Sequence, residues 1–225
     1  MEDGNVMINI LYEDNHLLVV EKPINIPVQA DISGDDDLLS ILKKYIKGKY
    51  SKPGNVYLGL VHRLDRPVGG LMVFAKTSKA AKRISSQIAE HKLKKFYYAV
   101  VCGKIIGDGI FKDKILKDSK INKSFVSPSG KEAELSYKVV STINNLSLVS
   151  VDLKTGRSHQ IRVQFSHHGY PLYGDQKYNE NSPLDNIALY AYKLEFIHPV
   201  TKEVMSFELP LPDRYPFNLF KTSEN

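Results

Sequence analysis

The strongest constraint on this chain is the order of its short apolar runs, which are interrupted by helical patterns at irregular intervals. Residues 8–12 and 17–20 flank Glu13-Asp14-Asn15 and predict a β-hairpin, closed where Pro23 after Glu21-Lys22 removes a backbone donor. Further strands are expected at 56–61, 71–75, 96–102, 133–140, 146–153, 188–196 and 204–209. Asp35-Asp36-Asp37 before Leu38, Leu39, Ile41, Leu42 and Tyr45 reads as the N-cap and first turn of an amphipathic helix. Thr77-Ser78 caps a second helix with Ala81, Ile84 and Ile88 on one face, and a third spans 158–168 and stops at Gly169. The Lys-studded stretch 112–123 reads as an exposed hairpin or loop. No regular alternation of strand and helix supports a parallel doubly wound sheet, so the expected class is α+β with a mixed, mostly antiparallel sheet.

Hydrophobic residues are 42% of the 225, enough for a sizeable core. Lys and Arg outnumber Asp and Glu by 31 to 25, a net charge of +6 that favours an anionic partner without identifying it. A single cysteine, Cys102, excludes an intrachain disulfide and a multi-Cys zinc site and fits a reducing compartment. No apolar run approaches the roughly 20 residues that span a bilayer, so a cytoplasmic protein without membrane attachment is expected.

Several chemistries have no anchor. The chain lacks a Gly-rich phosphate cradle, a dinucleotide fingerprint, paired histidines at zinc spacing and a serine in a nucleophile elbow. Chemistry without metal or cofactor is what remains. His62-Arg63-Leu64-Asp65-Arg66-Pro67-Val68-Gly69-Gly70 sets one carboxylate between two guanidinium groups before a Pro-Gly turn. Two readings of it stand: a solvated ion-pair cluster, or an Asp65 held ionised by adjacent positive charge as nucleophile or base. In Lys154-Thr155-Gly156-Arg157-Ser158-His159-Gln160-Ile161-Arg162 a strand enters a turn and a polar helix start, with His159 and Arg162 at i,i+3. In Lys95-Phe96-Tyr97-Tyr98-Ala99, alternation separates Tyr97 and Ala99 from Phe96 and Tyr98, one face core and the other open to stacking on a base.

These segments resemble, in order, the pattern of RluA-type pseudouridine synthases: His-Arg-Leu-Asp-Arg at 62–66, Lys-x-Tyr-x-Ala at 95–99 and Gly-Arg-x-His-Gln-Ile-Arg at 156–162. Tyr12-Glu13-Asp14, Glu21-Lys22-Pro23, Pro171-Leu172-Tyr173-Gly174-Asp175 and Phe196-Ile197-His198-Pro199 extend the likeness from about Ile10 to Pro212. The chain departs at Val68-Gly69-Gly70, where Thr-Ser-Gly is usual, at Asn25 for a frequent glycine, and at Tyr190 for a common histidine. The resemblance implies a pseudouridine synthase fold with a cleft across the sheet, and one catalytic domain over 1–225 without the N-terminal RNA-binding domain of longer relatives. It implies isomerisation of a flipped-out uridine in rRNA or tRNA by Asp65, with no cofactor or metal, in a protein expected to be a monomer. Tyr97 is the implied stacking partner of the uracil and Arg162 the ion-pair partner of Asp65. Arg63 is expected to fill the vacated place in the stack, and Ile161 to wall the pocket. His62, Arg66, Lys95, Arg157, His159 and Gln160 join them as expected RNA-contacting residues. A glycoside hydrolase using Asp175 as second carboxylate, and an RNA-binding module without catalysis, are the competing readings.

Overall fold

The computed structural model describes residues 7–31 and 34–221, which contain eleven strands, three α-helices and a short 3-10 helix. The chain divides into two compact units, one made of Met1–Leu93 with Leu194–Phe207, the other of Lys94–Lys193 with Glu208–Asn225. Strands and helices follow one another without regular alternation, an α+β architecture as the apolar runs predict.

In the first unit β1 (Asn9–Glu13) and β2 (Leu17–Lys22) form the predicted hairpin, and β2 pairs along its other edge with a later strand, Gly69–Ala75. Helix α1 (Leu38–Lys49) lies between them in sequence. It buries Leu38, Leu42 and Ile46 at i, i+4 and i+8. Asp37 is its N-cap, accepting from the Ser40 amide at 3.0 Å, whereas Asp35 and Asp36 precede the helix and no acid stands in its first turn. The expected strand at 56–61 contracts to β3 (Gly59–Leu60), because the chain must leave the sheet at Val61 to build the loop that carries Asp65. At Gly59 a Cβ would sit 2.8 Å from the Tyr57 hydroxyl and 3.1 Å from Ala81, so a side chain there would displace the Tyr57 ring. The Gly69–Ala75 strand, β4, is buried along its whole length, as a continuous apolar run demands. Helix α2 (Ser78–Ala89) starts at a Thr77 cap, and its Arg83 and Gln87 are bound to Pro199 and Ile197 backbone at 2.7–2.8 Å. Those two side chains of the polar face therefore have an architectural task.

Glu13, at the end of β1, ties this unit together. Its carboxylate accepts from Tyr45 Oη (2.9 Å), Tyr50 Oη (2.8 Å), Lys49 Nζ (2.7 Å) and Lys76 Nζ (2.8 Å). Burial by itself raises a carboxyl pKa, but hydrogen bonds from Lys49, Lys76, Tyr50 and Tyr45 outweigh it and bring Glu13 down to about 2 from 4.5. A depressed carboxyl contributes stability that is complete above the unfolded value and is lost as pH falls through the folded one. Wild-type melting temperature should therefore drop as pH falls from about 4.5 toward 2. Glu13→Gln should lose about 2 kcal/mol at neutral pH and show a flatter response in that acid window. Thermal denaturation at several pH values checks both, and parallel curves for the two proteins would refute the assignment.

The second unit is built on an antiparallel succession. β5 (Lys94–Cys102) pairs with β9 (Leu146–Leu153), β9 with β8 (Lys131–Ile143), β8 with β6 (Gly109–Asp118), and β6 with β7 (Lys123–Val126). The lysine-rich stretch is thus the β6–β7 hairpin, where Lys112 and Lys114 face Glu134 (3.2 Å) and Glu132 (3.3 Å) across the ladder. Helix α3 (Gln160–His167) buries Ile161, Val163 and Phe165. It begins two residues later than expected, because His159 takes left-handed backbone angles, φ 53° and ψ 24°, and cannot belong to the helix. Strand β10 (Leu189–Ile197) carries the chain back into the first unit, and β11 (Val204–Glu208) folds back on it.

Candidate active site

In the first unit Asp65 sits on a loop that leaves β3 and returns as β4. Its backbone carbonyl accepts from the Val68 amide at 3.0 Å, closing a tight turn. Gly70, opposite Lys22 in the ladder, has φ 117°, a value that L side chains rarely adopt. The chain thus keeps the glycine of the family pattern while changing the two residues before it.

Lys22 underlies this turn. It is fully buried, and its ammonium donates to the carbonyls of Pro23 (2.9 Å), Ile26 (2.7 Å) and Arg66 (2.9 Å). One side chain therefore ties the end of β2 to the residue that follows Asp65. Burial lowers its pKa to about 7 against the attraction of the Asp65 carboxylate, and the Arg66 charge adds to the lowering. His62 anchors the other end of the loop: its Nε2 accepts the Val73 amide at 3.0 Å, which places the ring proton on Nδ1. Arg66 is drawn to Asp31 (3.7 Å), Asp35 and the Asn25 carbonyl (3.2 Å). Asn25 itself has φ 64°, a conformation asparagine tolerates, which accounts for its standing where glycine is frequent. Arg63 is exposed.

In the second unit Arg162 is buried on the first turn of α3. Its Nε donates to Asp175 Oδ2 at 2.8 Å and one terminal nitrogen to Oδ1 at 2.7 Å, a bidentate pair with Asp175 only 1% exposed. Both oxygens of Asp175 are therefore committed, and it is poorly suited to serve as the second carboxylate that a glycosidase needs. The Tyr178 ring lies over the Arg162 guanidinium, 5.2 Å from centroid to Cζ, and its hydroxyl is 2.7 Å from His159 Nδ1. Gln160 holds the preceding turn. It accepts from the Thr155 hydroxyl (2.8 Å) and the Arg157 amide (3.0 Å) and donates to the Glu134 carbonyl (3.1 Å). Arg157 Nε donates to the Glu132 carbonyl at 2.8 Å. Ile161 is buried. Lys95 lies against Gly156, where a Cβ would come within 3.2 Å of its Nζ, and burial lowers its pKa. On β5 Tyr97 is buried on the same face as Ala99, while Tyr98 stacks on Tyr192 with centroids 3.8 Å apart. The alternation separates the aromatics as expected.

The expected site residues thus fall into two clusters, His62, Arg63, Asp65 and Arg66 in the first unit and the rest in the second. Sequence reasoning passed over Lys22 and Tyr178 as site residues. Lys22 leaves a faint trace, a lysine at the end of an apolar strand and before proline; Tyr178 leaves none, since its partners are 19 and 54 residues away.

The family model for RNA pseudouridylate synthases matches residues 16–167. An uncharacterised RNA pseudouridine synthase of Bacillus subtilis is 37% identical over 213 residues, covering 91% of this chain and 69% of its own. Ribosomal large subunit pseudouridine synthase D of Zymomonas mobilis is 34% identical over 227 residues, 94% of this chain and 71% of the relative. Among solved structures, human RNA pseudouridylate synthase domain containing 4 aligns with a TM-score of 0.79 at 23% identity over 94% of this chain and 91% of that one, a likeness of fold.

Proposed function

This chain belongs to the RNA pseudouridylate synthase family, whose members isomerise uridine in RNA, and from that premise we propose that it modifies uridines of large-subunit ribosomal RNA with Asp65 as the catalytic carboxylate. The observation that carries the RNA class is the set of relatives named for the large ribosomal subunit, 32–34% identical over more than nine-tenths of this chain. Isomerisation breaks the C1′–N1 bond, turns the uracil and joins C1′ to C5; N1 gains a proton and C5 loses one. Asp65 starts this by attack at C1′ or by removing a ribose proton, and either route needs an ionised carboxylate at a fixed place. The Lys22 clamp and the His62 anchor, which immobilise the loop at both ends, support that role. Tyr97 serves the uracil by stacking, and Arg162, its guanidinium held by Asp175, serves as the buried cation of the machinery. Arg63 takes the place of the extruded uridine, whose flipping costs roughly a few kcal/mol. On this reading the residues of 1–225 serve as one catalytic domain, acting as a monomer, and no cofactor takes part.

The test is a map of pseudouridine across all ribosomal and transfer RNA from cells with and without the gene. One or a few large-subunit positions should lose the modification. Loss confined to transfer RNA would overturn the choice of RNA, and free uracil as the product would overturn isomerisation.

A further inference from the structure

Tyr178 has no assigned part in the isomerisation, yet it touches both His159 and Arg162. Its ring packs on the buried cluster of Ile115, Ala133 and Val163 and has two cations over it, the Arg162 guanidinium at 5.2 Å and Lys123 Nζ at 5.5 Å. Its backbone carbonyl accepts from Ser166 Oγ of α3 at 2.7 Å. Its hydroxyl is 2.8 Å from the Ser124 amide of β7 and 2.7 Å from His159 Nδ1.

The two partners of the hydroxyl constrain where its proton lies. The Ser124 N–H can only donate, so it takes a lone pair of the tyrosine oxygen. Burial raises the Tyr178 pKa, so the phenol keeps its proton at neutral pH. That proton can serve the second contact, with Nδ1 of His159 accepting it at 2.7 Å. With Nδ1 as acceptor, a neutral imidazole carries its proton on Nε2. His159 is the residue held at φ 53° just before α3, and it spends no side-chain bond on capping the helix. A strained backbone and a tautomer dictated from outside are what a residue needs when its free choice would put the ring elsewhere.

We propose that Tyr178 is a positioning residue: its hydroxyl donates to Nδ1 and so holds His159 as the Nε2–H tautomer, while its ring supports the Arg162 guanidinium. The proposal rests on the reading that His159 and Arg162 serve uridine isomerisation. Tyr178→Phe keeps the ring over Arg162 and removes only the hydroxyl. It should lower kcat on unmodified large-subunit ribosomal RNA by about tenfold and leave KM within about twofold, the pattern of a misplaced group. Nitrogen NMR of histidine-labelled protein reads the tautomer directly and without turnover. Wild type should show His159 protonated at Nε2 alone, and Tyr178→Phe should show a mixture.

A proton on Nδ1 in the wild type overturns the proposal, whether or not the variant folds. So does a changed tautomer in Tyr178→Phe with kcat untouched, since the relay would then exist without serving the reaction. Wild-type protein that forms no pseudouridine in any RNA would instead sink the functional reading, and the NMR result would still decide the relay.

Discussion

Asp65→Asn is expected to reduce pseudouridine formation by roughly 10⁴-fold or more, the scale of loss when the one group that starts a reaction is removed. The substitution keeps size and shape and deletes only the charge. The Asp65 carbonyl, which closes the turn with Val68, and the His62 contact are untouched by it, and Lys22 loses the attraction of the carboxylate but keeps its carbonyl acceptors. Folding and RNA affinity should therefore stay near wild type, measured by thermal denaturation and by filter binding. Asp65→Glu should also fail, since one more methylene displaces the carboxylate by more than an ångström on a loop built not to move. Turnover by Asp65→Asn at the wild-type rate, followed by mass spectrometry of digested RNA, would leave the assignment without support.

The largest loss of stability should come from Asp175→Ala. It strips the buried Arg162 guanidinium of a bidentate partner, and breaking a buried ion pair by removing one member costs about 3–5 kcal/mol. For a chain of this size that lowers the melting temperature by roughly 10 °C. Asp175→Asn retains one acceptor and should fall between wild type and Ala. Activity should fall in both, measured at a temperature where each is fully folded, because Arg162 loses the contact that orients it. A double variant, Asp175→Ala with Arg162→Met, should recover much of the stability while remaining inactive, since a buried ion pair replaced by apolar groups is often neutral. Recovery of activity without Arg162 would remove that residue from the proposed machinery.

The two experiments separate roles that the primary structure presents alike. Asp65 and Asp175 are both single carboxylates beside glycine-containing turns. Only the partners distinguish them: Asp175 has both oxygens spent on Arg162, and Asp65 stands on a loop pinned at its two ends. The same holds for the arginines. Arg66 stands beside Asp65 in the chain, and the fold brings its guanidinium to Asp31 and Asp35.

Local pattern was enough for most elements, because capping and alternation are short-range effects. Asp37 and Thr77 cap α1 and α2 through amides three residues on, and the hairpin of β1 and β2 follows from two apolar runs around a polar turn. The misplacements have tertiary causes. β3 is cut short by the departure of the Asp65 loop, and α3 is delayed by the left-handed His159.

The ordered motifs were sufficient to place the chain in its family and to single out Asp65, Tyr97 and Arg162 as candidates, since residue type and spacing are one-dimensional properties. Proton positions, the commitment of Asp175 and the burial of Lys22 were decided only on folding. Each depends on atoms brought within about 3 Å of one another from distant points in the chain, at a range where hydrogen bonding and desolvation act and spacing along the sequence carries no information.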